Sequence, residues 1–316
     1  MFVPSIECAG HRCEQKDKYN NSESSTYVED GTIKEVTYMG IYAFGKESID
    51  VLTLESGLSL KDQHFVDMKY YVEVWPDYEV EYFDSVLGLS IDKPWGSPET
   101  PILQSPLKNM IDSRALDSNV FSLLLPDDER EGDLMFGGYN DSFISGDLNI
   151  HPLYPAGTTT WQIEASRVSM HGKDASGGYG TLVNESLADH VAIILSETPI
   201  LSFPWDIGNA LRAQLNMTVS RCTPADIVPC DEISSLPTIT LKLGGYDYEL
   251  TGEDYVMKFQ PPECVDFGLQ CVPMIESTPN WGLPEGLPTD FIIVGTSFLS
   301  TVYTVFDWDD RSIKSE

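Results

Sequence analysis

Residues 191–204, Val-Ala-Ile-Ile-Leu-Ser-Glu-Thr-Pro-Ile-Leu-Ser-Phe-Pro, constrain the fold more than any other stretch. An apolar strand at Ala192-Ile193-Ile194 runs into a tight turn. A second apolar run follows at Pro199-Ile200-Leu201, and Pro204 opens a helix. Taken alone, the segment is an ordinary buried strand and turn. Its surroundings are also β-rich. Ile239, Leu241 and Leu243 alternate, Gly244-Gly245 turns the chain, and Tyr246, Tyr248 and Leu250 alternate back, which predicts a hairpin. Phe121–Leu125 and Val302–Phe306 read as buried strands. Helices are few and short. Ser105-Pro106 is a cap and first-turn pair with Leu107, Met110 and Ile111 on one face. Ser202/Pro204 opens a second helix with Ile207, Ala210, Leu211 and Leu215 inward. The run Asp127-Asp128-Glu129-Arg130-Glu131, just after Pro126, predicts a solvated turn.

The chain has 316 residues, 41% of them hydrophobic, enough to bury a core in one two-lobed unit or two domains. Fifty acidic residues against 19 basic ones give a net charge of −31, which excludes a phosphate-backbone binder built on clustered Lys and Arg. The same charge suits a protein kept in mildly acidic surroundings, where protonation relieves self-repulsion. No apolar run reaches the roughly 18 residues of a transmembrane helix, and no charged-then-apolar leader opens the sequence. The histidines at 11, 64, 151, 171 and 190 are scattered, with no Ser-His-Asp or metal motif to anchor them. No metal and no cofactor are expected.

Six cysteines point to an oxidising compartment. Cys8 and Cys13 are close enough in sequence for local pairing, while Cys222, Cys230, Cys264 and Cys271 allow three pairings. A zinc site is the rival, but the spacings between these four and the lack of nearby histidine argue against it. Asn-X-Ser/Thr triplets at Asn20, Asn140, Asn184 and Asn216 fit glycosylation on a secretory or vacuolar route.

A series of short motifs runs in one order along the chain. Phe2-Val3-Pro4-Ser5 leads to Cys8-Ala-Gly-His-Arg-Cys13, then to Ser24-Ser25-Thr26-Tyr27 and Val36-Thr37-Tyr38. Phe83-Asp84-Ser85-Val86-Leu87-Gly88-Leu89, Phe136-Gly137-Gly138-Tyr139-Asn140 and Gly146-Asp147-Leu148 follow. Val294-Gly295 and Tyr303-Thr304-Val305-Phe306-Asp307 close the series. Each is weak alone, but the ordered set resembles the pepsin-like aspartic peptidases. The resemblance implies an all-β, two-lobed pepsin-like acid protease fold, with an incomplete N-terminal lobe at 1–155 and a C-terminal lobe at 156–316.

Within that family, residues 195–197 fall on the second Asp-Thr/Ser-Gly triplet, here Leu195-Ser196-Glu197. The first catalytic Asp would fall six residues before Met1, so the expectation is a chain whose natural start lies upstream or that descends from a longer one. The chemistry of the family needs two carboxylates sharing one proton, one accepting a proton from water while the other polarises the substrate carbonyl. Leucine can do neither, and Glu197 places a charge where glycine permits close approach. The implied function, peptide-bond hydrolysis, is therefore expected to be absent from this chain. Tyr38 falls on the tyrosine of the flap hairpin, with Met39 and Ile41 on its two glycine positions. Tyr38, Ser196 and Thr198 become the candidate contacts to a peptide or protein ligand. The resemblance also favours a Cys230–Cys264 bridge, leaving Cys222–Cys271. The rival reading is an acidic secreted glycoprotein that acts as a binding or structural module.

Overall fold

Period-two patterns become strands over a large part of the described chain. The computed structural model describes residues 1–9, 11–14, 16–38, 41–73, 84–91, 103–126, 131–174, 176–223, 225–260, 262–278 and 290–316. The described residues group into two units, one running from Met1 to Asp117 and the other from Ser118 to Glu316.

The first unit holds β1 (Phe2–Pro4), α1 (His11–Glu14), β2 (Val28–Tyr38), β3 (Ile41–Thr53), β4 (Ser59–Glu73) and α2 (Pro106–Asp112). Its sheet runs β1-β4-β3-β2, with β1 parallel to β4 and the other pairs antiparallel. Phe2, Val66 and Met68 form a core with the Cys8–Cys13 bridge. Gly45 sits at a register shift between β3 and β4, where a Cβ would lie 2.3 Å from the Asp67 carbonyl oxygen. The expected α2 forms as read: Ser105 Oγ accepts from Lys108 N at 3.1 Å, Pro106 fills the first turn, and Leu107 and Met110 are buried. Ile111 is only half-buried. Asn109 takes the remaining inward position and donates to Lys61 O and Gln63 Oε1.

The second unit begins at Ser118 because its early strands pair with the C-terminal ones. β5 (Val120–Leu124), β6 (Asp133–Phe136) and β7 (Asn149–Pro152) join β19 (Thr304–Asp307) and β20 (Ser312–Ser315) in a sheet of order β6-β5-β19-β20-β7. The rest comprises β8 (Gln162–Lys173), β9 (Tyr179–Ile194), β10 (Leu201–Pro204), α3 (Trp205–Arg212), β11 (Thr218–Val219), β12 (Asp226–Ile227), β13 (Thr238–Leu243), β14 (Tyr246–Leu250), α4 (Gly252–Tyr255), β15 (Val256–Phe259), β16 (Gln270–Pro273), β17 (Ile275–Thr278), β18 (Phe291–Val294) and α5 (Thr296–Leu299). A seven-stranded sheet runs β14-β13-β8-β9-β18-β10-β17. The Phe121 and Phe306 rings stack at 4.5 Å, with Trp161, just before β8, edge-on to both. The strand expected at Val302–Phe306 starts two residues later, because Val302 is buried in the turn after α5. Ser202 belongs to β10 rather than to a helix start, and Pro204 flanks α3 without a side-chain cap. Gly208, Leu211 and Leu215 are buried, while Ile207 and Ala210 are half-buried. The charge run at 127–130 lies outside the described residues.

Candidate functional site

The ends of β9 and β10 build the candidate site. β9 pairs in parallel with β18, Ile194 opposite Val294, and β10 pairs antiparallel on the other flank of β18, Leu201 opposite Val294. The loop 195–200 therefore leaves the sheet on one side of β18 and returns on the other. Ile193, Leu201, Phe203, Ile292 and Val294 are buried, which fixes the strands that carry the loop. Three backbone bonds hold its shoulders. Leu195 N donates to Val294 O at 3.1 Å, Gly295 N to Ile200 O at 3.0 Å, and Thr296 N to Thr198 O at 2.7 Å. Gly295 permits this approach: a Cβ there would lie 2.2 Å from Thr198 O and 2.6 Å from Ile200 O.

Thr198 is buried, and its Oγ1 accepts from Ile200 N at 3.2 Å. Leu195 is half-buried, while Ser196 and Glu197 are exposed at the tip. No cation among the described residues pairs with Glu197. Protein atoms nonetheless crowd its carboxyl, and this desolvation raises its pKa above the usual carboxylate value. The loop thus offers two hydroxyls, Ser196 exposed and Thr198 buried, and one carboxyl, and leucine stands at the strand end. A single carboxyl cannot divide one proton between an ionised and a protonated partner, which is how a carboxylate dyad works.

The sequence's other candidates have separate places. Tyr38 ends β2 opposite Ile41 of β3, so the expected hairpin forms, with its turn at 39–40 outside the described residues. It belongs to the first unit, and residues 195–198 belong to the second. The expected C-terminal bridges are corrected: Cys222 bonds Cys264 and Cys230 bonds Cys271, with Cα–Cα distances of 5.7 and 5.5 Å. The reason is strand register. Val228 N donates to Cys271 O at 2.9 Å, so the chain leaving β12 runs beside β16 and brings Cys230 to Cys271. Ser220 Oγ donates to Gln270 Oε1, which holds the residues before Cys222 against the same strand.

Asn20 and Asn140 each accept, through Oδ1, from the backbone N and hydroxyl of the serine two residues on. Asn184 and Asn216 are exposed. The described histidine side chains lie in separate environments: His64 contacts Glu47 at 2.7 Å, His171 Thr181 at 3.3 Å, and His190 the Ala188 carbonyl at 3.0 Å. His151 is buried 1% exposed, its Nε2 2.8 Å from the Tyr248 hydroxyl and 3.1 Å from Ser315 Oγ. Sequence reasoning missed this network, whose members lie on three strands far apart in the chain.

A family model described as eukaryotic aspartyl protease matches residues 1–315. Vacuolar protease A of Neurospora crassa is 27% identical to this chain over 97% of it and 69% of the relative's own length. Cathepsin D of Homo sapiens is 28% identical over 99% of this chain and 73% of its own. Plasmepsin I of Plasmodium falciparum is 28% identical over 99% of this chain and 62% of its own.

Proposed function

We propose a function from an established premise: the chain belongs to the eukaryotic aspartyl protease family. Our reading is a non-catalytic member that holds a peptide or protein segment and does not cleave it. One observation carries it. The strand end that leads into the loop around Gly295 bears Leu195, and the only carboxyl of the loop is Glu197. A hydroxyl such as Ser196 can bind water or a peptide carbonyl, but it does not replace a general base.

Tyr38, Ser196 and Thr198 are the residues we assign to ligand contact. Ser196 faces solvent, whereas the Thr198 hydroxyl is buried and accepts a bond from Ile200 N, which leaves its O–H as the donor it brings to that contact. The lobe division at 1–155 and 156–316 belongs to this proposal. It follows chain order, whereas the compact units group β5, β6 and β7 with the C-terminal strands they pair with. A secretory or vacuolar location with N-glycosylation is also part of the reading, supported by three disulfides and by the vacuolar protease A relative. No described helix is long and apolar enough to cross a membrane.

Purified chain, incubated with unfolded protein substrates between about pH 2 and 6, the window in which a shared-proton dyad works, should give no pepstatin-sensitive cleavage. Turnover by the unmodified chain would overturn the reading and make Glu197 the first residue to test.

A further inference from the structure

We propose that Asn216 carries an N-linked oligosaccharide whose first sugars rest in the cavity beside it, making the glycan a packed part of the second unit. The inference rests on the secretory-route reading above. α3 ends at Arg212, and Asn216 then takes a left-handed φ of +48°, which asparagine tolerates better than most residues. Asn216 and the sequon's Thr218 are both exposed, and no hydrogen bond among the described residues holds the Asn216 amide. Asn20 and Asn140 differ, since their side chains cap turns, and the Asn20 amide also donates to Glu23 at 2.8 Å. Asn184 is exposed in mid-β9.

Asn216 itself lines that cavity, a shallow, open surface depression of about 340 Å³. Ala213, Met217 and Val219 give it an apolar wall, and Val219 is 73% exposed. Asn209, Arg212 and Asp226 give it polar groups. Arg212 is fixed by bonds to Ile275 O at 2.6 Å and Asp226 Oδ2 at 2.7 Å, and the Asp226 carboxylate keeps further acceptor capacity. A pyranose ring matches this lining, with C–H groups on its face and hydroxyls on its rim. Such an open, mixed surface would bind a free sugar weakly. A sugar tethered at the rim needs little affinity, because attachment makes its binding intramolecular. Attachment forms a bond from Asn216 Nδ2 to the anomeric carbon of an oligosaccharide donated by a lipid pyrophosphate. That carbon's bond to the pyrophosphate breaks, the pyrophosphate leaves with the electron pair, and Nδ2 loses one proton.

The test is expression of the full chain in a eukaryotic host, followed by glycopeptide mass spectrometry and timed endoglycosidase trimming. The Asn216 glycan should be present and trimmed at least about tenfold more slowly in folded than in unfolded protein. Ala213→Tyr, which fills the cavity from an exposed helix end, should abolish that protection while leaving Asn216 modified. Thr218→Val, which removes the sequon but keeps Asn216, should lower Tm by about 2–4 °C, the scale of a lost surface packing contact in a unit of this size. An unmodified Asn216 beside modified Asn20, Asn140 or Asn184 overturns this inference alone. A chain with no glycan at any sequon overturns the secretory-route reading with it. Trimming as fast as in unfolded protein, or protection that survives Ala213→Tyr, overturns the seat in the cavity.

Discussion

Two residues show how single positions govern this molecule. Gly295 has an ordinary extended φ, so its requirement is one of space: the loop carbonyls of Thr198 and Ile200 lie where a Cβ would be. Gly295→Ala must push the loop from β18 or break its bonds. We expect a loss of about 1–3 kcal/mol, read by chemical denaturation, as for other overpacked core positions. A loss below about 0.5 kcal/mol would show that the loop shifts freely. His151 acts through its protons. Burial lowers its pKa from 6.5 to about 4, its Nδ1 has no hydrogen-bond partner, and Gly244 packs close to that nitrogen. The groups facing the ring are Tyr246, Tyr248 and Ser315, none of them charged at these pH values. As pH falls below about 6.5 the unfolded chain takes up a proton before the folded one does. The contribution is therefore complete above 6.5 and lost as pH falls through 4, by about 3 kcal/mol in all. His151→Gln should be less stable at pH 7, and its deficit should shrink between pH 6.5 and 4. A deficit that stays constant over that range would show that His151 is not the titrating group.

At the scale of elements, the two C-terminal bridges each close a long loop, with sequence separations of 42 and 41. Chain entropy gives about 4 kcal/mol for a loop of that size. Cys222→Ser with Cys264→Ser should cost roughly that amount, and peptide mapping of the unreduced parent should link 222 to 264 and 230 to 271. A recovered 230–264 peptide would reinstate the pairing expected from the sequence. The correction shows where the chain was legible. The β13–β14 hairpin was plain, because its apolar alternation and Gly244-Gly245 turn lie within a dozen residues and Leu243 pairs Tyr246 as the pattern requires. α2 was plain because its cap and first turn are adjacent. The insertion of β18 between β9 and β10 was not, since Phe291–Val294 lies about a hundred residues beyond Val191–Ile194 and nothing local names its partner. The bridges depend on a second non-local neighbourhood, between the chain after β12 and β16, and so carry an ambiguity of the same kind. In the candidate loop, residue identities were readable from the sequence, while the role of Gly295 as its close neighbour needed the strand order.

At the scale of the whole molecule, charge is the dominant unbalanced term. Even if all 19 basic groups were paired, 31 of the 50 acidic ones would remain, since 50 − 19 = 31. Several of the pairs that do form are well exposed, such as Lys46–Glu29, Arg167–Asp247 and Lys258–Glu253, and exposed pairs contribute only about 0–1 kcal/mol each. Repulsion among the unmatched carboxylates should therefore outweigh attraction at neutral pH. Salt screens repulsion over distances beyond the Debye length, about 10 Å at 0.1 M and 3 Å at 1 M. Raising NaCl at pH 7 should accordingly raise Tm. At pH 4.5, where roughly a third of ordinary carboxylates are protonated, the net charge is smaller and the same salt step should raise Tm by less. His151 works against acid stability, so Tm itself need not rise as pH falls, but it does not alter the sign of the salt effect, which acts on exposed charge. Thermal denaturation at both pH values, with and without salt, separates the two. A Tm at pH 7 that falls with salt would mean that the attractive pairs outweigh the 31 unmatched charges, and that the acidic surface is arranged to place those charges beyond each other's reach.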